Sequence, residues 1–185
     1  MRAAVLRLLL ICLPLVLAAC SGGANTTPTP APAASGLFTP GTVPTMEQLC
    51  ALLTPDDWSA AGLTDAGPPD MDDDGPGTGS AYCTYHGISG ALGGLELDVF
   101  VSPTVDEAQQ IYAQILESLP DTSAPNISGV DEAAINANIQ PDGFGAILVR
   151  AGLLVATISL PTSAQATDQL ISLTNLVLSR ARELQ

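Results

Sequence analysis

The chain has 185 residues, with 19 acidic side chains against 5 basic ones and a formal net charge of −14. Arg2 and Arg7 stand at the extreme N-terminus; beyond residue 20 only Arg150, Arg180 and Arg182 are basic, and there is no lysine. Such a surface repels phosphate backbones and anionic headgroups, which argues against nucleic acid as a partner and against charge-driven docking on lipid. The length fits one domain, with or without an arm. The mean hydropathy of +0.33 is inflated by one N-terminal segment.

That segment begins with a short basic stretch, Met1 to Arg7, followed by an apolar run, Leu8 to Leu17, interrupted by Pro14. Leu8 to Ala19 is too short to cross about 30 Å of hydrocarbon at about 1.5 Å per residue, so residues 1–19 read as an export signal and not a transmembrane helix. Leu17-Ala18-Ala19-Cys20 resembles the lipobox of bacterial lipoproteins. The resemblance implies diacylglyceryl transfer to Cys20, cleavage before it and a mature N-terminus at Cys20. It places the protein at the cell membrane, lipid-anchored, with its domain on the extracytoplasmic face. The plainer alternative is a secretory signal ending in a small-residue cleavage site. Each buried methylene is worth about 0.8 kcal/mol, so two or three acyl chains on one cysteine make a firm anchor.

Cys12 leaves with the signal and Cys20 is consumed by lipid. Cys50 and Cys83 are then the thiols left in an exported chain, and a disulfide between them is expected. Closing that loop would contribute on the order of 3–4 kcal/mol in the chain-entropy view. A two-cysteine metal site lacks partners, because His86 is the only histidine.

Residues 20–45 hold the lipidated cysteine and then Ser, Gly, Thr, Pro and Ala. This composition buries too little surface to offset chain entropy and predicts a flexible tether. Only Leu37, Phe38 and Val43 speak for a lid lying on the domain instead. A globular domain is expected over 46–185. Thr45 and Gln48 form a capping-box pattern, with Leu49, Leu52 and Leu53 on one helical face. Thr54-Pro55-Asp56-Asp57 restarts a helical turn that Gly62 closes. Residues 66–80 read as an acidic, Pro- and Gly-rich loop.

Strands are predicted at Ser80–His86 and Gly94–Val101; in the second, Leu95, Leu97, Val99 and Val101 alternate with Glu96 and Asp98, giving one buried and one wet face. A helix capped by Thr104 and Glu107 carries Ala108, Ile111, Tyr112, Ile115, Leu116 and Leu119 on one side and stops at Pro120. Further strands are predicted near Asn126–Val130, Ile135–Ile139, Phe144–Arg150 and Leu153–Ser159. A last helix, about Ser163 to Glu183, buries Leu170, Leu173, Val177, Leu178 and Ala181, with Arg180 and Arg182 at its negative end. The order α-ββ-α-ββ(ββ)-α predicts an α+β fold, a mainly antiparallel sheet with helices packed on one face.

Cys50-Ala51-Leu52-Leu53-Thr54-Pro55-Asp56-Asp57, Cys83-Thr84-Tyr85 and Gly129-Val130-Asp131-Glu132-Ala133 together resemble an uncharacterised domain of actinobacterial cell-envelope lipoproteins. The resemblance covers about residues 46–185 and includes the lipobox. It implies a Cys50–Cys83 bridge and a lipid anchor, and it implies no enzymatic activity.

Among chemical motifs, Asp70-Met71-Asp72-Asp73-Asp74-Gly75 matches the first half of a calcium loop, which makes Asp70, Asp72 and Asp74 candidate ligands. Ala81 stands where the closing glutamate belongs, and a solvated acidic loop explains the run as well. Gly87-Ile88-Ser89-Gly90 falls one residue short of a nucleophile elbow, and His86 lacks a base-and-orienter pattern. Glycines at 87, 90, 93 and 94 lack the lysine of a phosphate loop. Glu96 and Asp98 share one strand face as paired carboxylates do, or as any wet sheet face does. Trp58, Tyr82 and Tyr85 either complete the core near the bridge or line a groove as a binding surface.

The expectation is therefore a non-enzymatic, cofactor-free binding or accessory module at the cell envelope, held to the membrane by its lipid. Its partner would be an envelope protein. The alternatives are a carrier of a small apolar ligand or lipid and a weak calcium binder.

Overall fold

The computed structural model describes residues 36–41, 43–62, 67–72, 79–85, 95–136, 144–161 and 165–185. Its elements are α1 (Met46–Cys50), α2 (Pro55–Ala60), β1 (Pro69–Asp72), β2 (Ser80–Tyr85), β3 (Leu95–Val101), α3 (Val105–Ser118), β4 (Glu132–Asn136), β5 (Phe144–Ala151), β6 (Leu154–Pro161) and α4 (Ala166–Glu183). The strands form a single six-stranded sheet in the order β1-β2-β3-β6-β5-β4, with every neighbouring pair antiparallel. The class is α+β. Residues Pro32–Gln185 make one compact unit, and every core residue lies within it.

The short helices are set by their caps. Thr45 N–H donates to the Gln48 side chain at 2.9 Å, and Gln48 N–H donates back to Thr45 Oγ1 at 3.3 Å. Thr54 and Asp57 repeat the exchange at 2.7 and 3.4 Å, with Pro55 in the first turn, where its missing N–H costs nothing. Thr104 Oγ1 accepts from Glu107 N–H at 3.2 Å and starts α3. These local satisfactions matter because helices of five and six residues do not hold in isolation. Packing completes them: Leu49, Leu52, Leu53 and Trp58 are all buried.

One sheet face carries Leu95, Leu97 and Val99 of β3, Ile147 and Val149 of β5, and Leu154, Ala156 and Ile158 of β6. α1, α2 and α4 cover it, α4 through Leu170, Leu173, Val177, Leu178 and Ala181. On the opposite face, among the described residues, α3 sets Ala108 and Tyr112 on Leu148 and Val155. The expectation that the helices share one face thus holds for α1, α2 and α4 and not for α3. An amphipathic stripe tells that a helix has a buried side, not which side of a sheet receives it.

Three further expectations change. The segment read as a loop over 66–80 contains β1, in which Asp70 and Asp72 pair with Thr84 and Tyr82. Pro69 is tolerated there because it opens an edge strand, and the carboxylates suit an edge that must not recruit another chain. No strand forms over Asn126–Val130, where Gly129 takes a positive φ of 77° and only Ser123 bridges to Ile135. β4 begins three residues before the expected Ile135, because Asp131 and Glu132 are both drawn to Arg150.

The tether also ends sooner than residue 45. Leu37 and Phe38 are 1% and 5% exposed and belong to the main core. Leu153 N–H donates to Leu37 O at 3.3 Å, so this strap lies on the β5–β6 turn. The turn needs Gly152: its φ is +62°, and a Cβ there would stand 2.5 Å from Gly36 Cα.

Candidate functional site

The alternation of β3 that buries Leu95, Leu97 and Val99 sends Glu96, Asp98 and Phe100 to the other face. Register then chooses their neighbours. Glu96 stands between Thr84 of β2 and Ser159 of β6, Asp98 between Tyr82 and Thr157, and Phe100 between Ser80 and Val155. Tyr82 and Phe100 meet edge to face with ring centroids 5.7 Å apart. Among the described residues α3 lies mainly over β5 and β6, and a hollow is found near each of its ends.

The larger, about 430 Å³, lies at the C-terminal end of α3 between Leu119-Pro120 and the sheet residues Glu96, Ser159, Ala146, Asn136 and Phe144. Phe144 is 38% exposed at its rim. The smaller, about 210 Å³, lies at the helix N-terminal end beside Phe100, Ser102 and Glu107. The first is within the usual size of small-molecule sites, about 300–1,000 Å³, and combines an apolar wall with a few polar groups.

Electrostatics single out Asp98, two residues along β3 from Glu96. Burial, and secondarily the charge of Glu96, pushes the Asp98 carboxyl up to about 6. The strand face expected to be wet is therefore half-buried. Opposite Asp98, Thr157 Oγ1 is buried and makes no hydrogen bond among the described residues. Asp98 therefore keeps its proton to a higher pH than an ordinary aspartate.

The other predicted site residues fall in different places. Cys50 and Cys83 form a disulfide with S–S 2.08 Å and Cα–Cα 5.6 Å, which ties α1 to β2. Trp58 and Tyr85 are fully buried with ring centroids 5.2 Å apart. The Tyr85 hydroxyl shares its proton between the carbonyls of Cys50, at 2.9 Å, and Leu53, at 2.5 Å, and burial raises the phenol to about 12. Trp58 and Tyr85 are therefore core, and no contact surface is made of them; Tyr82 is separated from both, on the other face of the sheet. Asp70 and Asp72 occupy an extended strand instead of a turn that would converge their oxygens, and Asp74 lies outside the described residues. Among the described residues no group of three or more His, Cys, Asp or Glu side chains could hold a metal ion. Cys20, His86 and Ser89 also lie outside the described residues.

Two ion clusters escaped the sequence reading. Arg180, read as a dipole-compensating cation, instead grips both Asp57 oxygens, one at 2.9 Å, and donates to Leu52 O at 3.0 Å. That guanidinium holds the Asp57 carboxyl down to about 2. Arg150 donates to Glu132 at 2.6 Å and to Asp131 at 3.0 Å, while Asp131 accepts from Gly152 N–H at 2.7 Å. The Gly129–Ala133 motif thus locks the β5–β6 turn. Both clusters are structural, and the hollow lined by Glu96, Ser159 and Phe144 is the candidate site.

The fold defines an α+β module with this hollow on one sheet face. No protein-family model, no curated protein and no solved structure matches the chain.

Proposed function

We propose that the chain is a lipid-anchored extracytoplasmic bacterial lipoprotein whose acidic α+β domain is a non-catalytic binding module at the cell envelope. The export and anchor half of this reading rests on the signal segment and on Leu17-Ala18-Ala19-Cys20. A Cys50–Cys83 bridge is consistent with it, since disulfides persist in oxidising compartments. The binding half rests on one observation, the hollow of about 430 Å³ left on the sheet face beside α3. Its apolar wall of Leu119, Pro120, Phe144 and Ala146 favours a small ligand over a flat protein partner, which is the carrier version of the same function.

Native mass spectrometry of Pro32–Gln185, exported so that its thiols oxidise, tests the binding half. A non-covalent adduct that disappears in Ser159→Phe, which fills the hollow from β6, supports it. An adduct unaffected by that change, with the variant melting as the parent does, places binding elsewhere and refutes the role of the hollow.

A further inference from the structure

The hollow is chemically two-sided. One wall is hydrocarbon from Leu119, Pro120, Phe144 and Ala146; the other carries the Glu96 carboxylate with Ser159 as its cross-strand neighbour. Asp98 follows two residues along β3 on the same sheet face, outside the lining of the hollow. Burying an unpaired carboxylate under an apolar ligand would cost desolvation with nothing gained in return. A fatty acid would add like charge to Glu96, and the net charge of −14 opposes its approach from a distance. An ammonium head reverses both terms: it pairs with Glu96, and the field of the domain draws it in.

We infer that the hollow takes a cationic amphiphile, a primary amine with a hydrocarbon chain, whose ammonium group sits at Glu96 and whose chain lies along Leu119, Pro120 and Phe144. This rests on the binding reading above and adds the chemical class of ligand. Neutral amphiphiles fit the hydrocarbon wall but leave the carboxylate without a partner. Anionic ones fit the hydrocarbon wall but set like charge against Glu96.

Calorimetric titration of Pro32–Gln185 with decylamine, decanol and decanoate, each below its aggregation threshold and near pH 7, separates the two claims. The expected result is that decylamine binds about tenfold or more tightly than decanol, about 1.4 kcal/mol, with decanoate weakest. Glu96→Gln, an isosteric change at a half-buried position, should bring decylamine to the level of decanol and leave decanol unchanged. Thermal melting and the intact disulfide mass confirm that this variant folds. Equal binding of all three, abolished by Ser159→Phe, would overturn the amine inference while leaving the hollow as a binding site. A decylamine preference that survives Glu96→Gln overturns the assignment of the head group to that carboxylate. No binding of any of the three overturns the amine inference, and an adduct in the native spectrum that Ser159→Phe removes would still preserve the binding reading.

Discussion

Asp98 carries a measurable penalty in the folded state, and removing its charge should stabilise the domain. Its carboxyl is held at about 6 against an ordinary 3.8, a rise of about 2 units. At about 1.4 kcal/mol per unit, the ionised form costs the native state up to about 3 kcal/mol. The sign follows from the direction. A folded pKa above the unfolded one means that the native state binds the proton more tightly. Stability from this group is fully present below about pH 3.8 and is lost as pH rises through about 6. The charged and titratable neighbours are Glu96 on the same strand, Tyr82 opposite on β2 and Asp72 beyond it on β1. Of these, Glu96 contributes to the rise, after burial.

Asp98→Asn keeps the shape and removes the charge. Near pH 7.5 the variant should be more stable than the parent by about 2–3 kcal/mol, which at this chain length is a Tm rise of about 4–12 °C. Near pH 3.5 the two should melt together. Urea or thermal denaturation of Pro32–Gln185 across that range reads both quantities. A variant no more stable than the parent at pH 7.5, or a difference that does not depend on pH, would refute the claim that an ionised, half-buried carboxylate is the source.

Thr157→Val should stabilise the domain by about 1 kcal/mol, because it removes a buried hydroxyl without a hydrogen-bond partner while keeping the side-chain shape; a loss of stability in urea would mean that Oγ1 is in fact satisfied. Gly152→Ala should cost about 2–4 kcal/mol, since it forces a side chain into φ +62° and toward Gly36 Cα, and proteolysis near Leu37 should accelerate with it. A fall in melting temperature without faster cleavage at the strap would separate turn strain from strap release. Asp57→Asn should cost about 1–3 kcal/mol near neutral pH, a range that allows for solvent screening of the Arg180 side chain, which is 33% exposed. Because the Asp57 pKa is lowered, its contribution is present above about pH 3.8 and is lost as pH falls through about 2, so the parent-minus-variant difference should shrink in acid.

Much of the architecture was legible because it is written in short-range chemistry. The Thr45–Gln48 exchange, the Thr54-Pro55 start of α2, the alternation in β3 and the buried stripe of α4 all depend on spacing alone. What escaped depends on partners distant in sequence. Pro69–Asp72 is acidic and begins with proline, so composition pointed to a loop; only pairing with β2 makes it a strand. Leu37 and Phe38 stand in a stretch too poor in apolar residues to declare a core, and they are buried because the β5–β6 turn offers them a seat.

The candidate site divides in the same way. Glu96 and Asp98 are visible as a same-face pair, and the polar alternation of β6 sets Thr157 and Ser159 on one face in the same way. The hollow itself was invisible, because its lining comes from β3, β4, β5, β6 and the end of α3, which only the fold brings together. For Trp58 and Tyr85 spacing left core and groove both open, and burial decides for the core.

The most direct test of the lipid-anchored, exported reading is the intact mass of the full chain extracted in mild detergent from the membranes of a bacterial host. The expected protein begins at Cys20, carries diacylglycerol on that sulfur, and is lighter by the two thiol hydrogens of Cys50 and Cys83. A chain that keeps Met1, or one recovered from the soluble fraction with an unmodified Cys20, would contradict it.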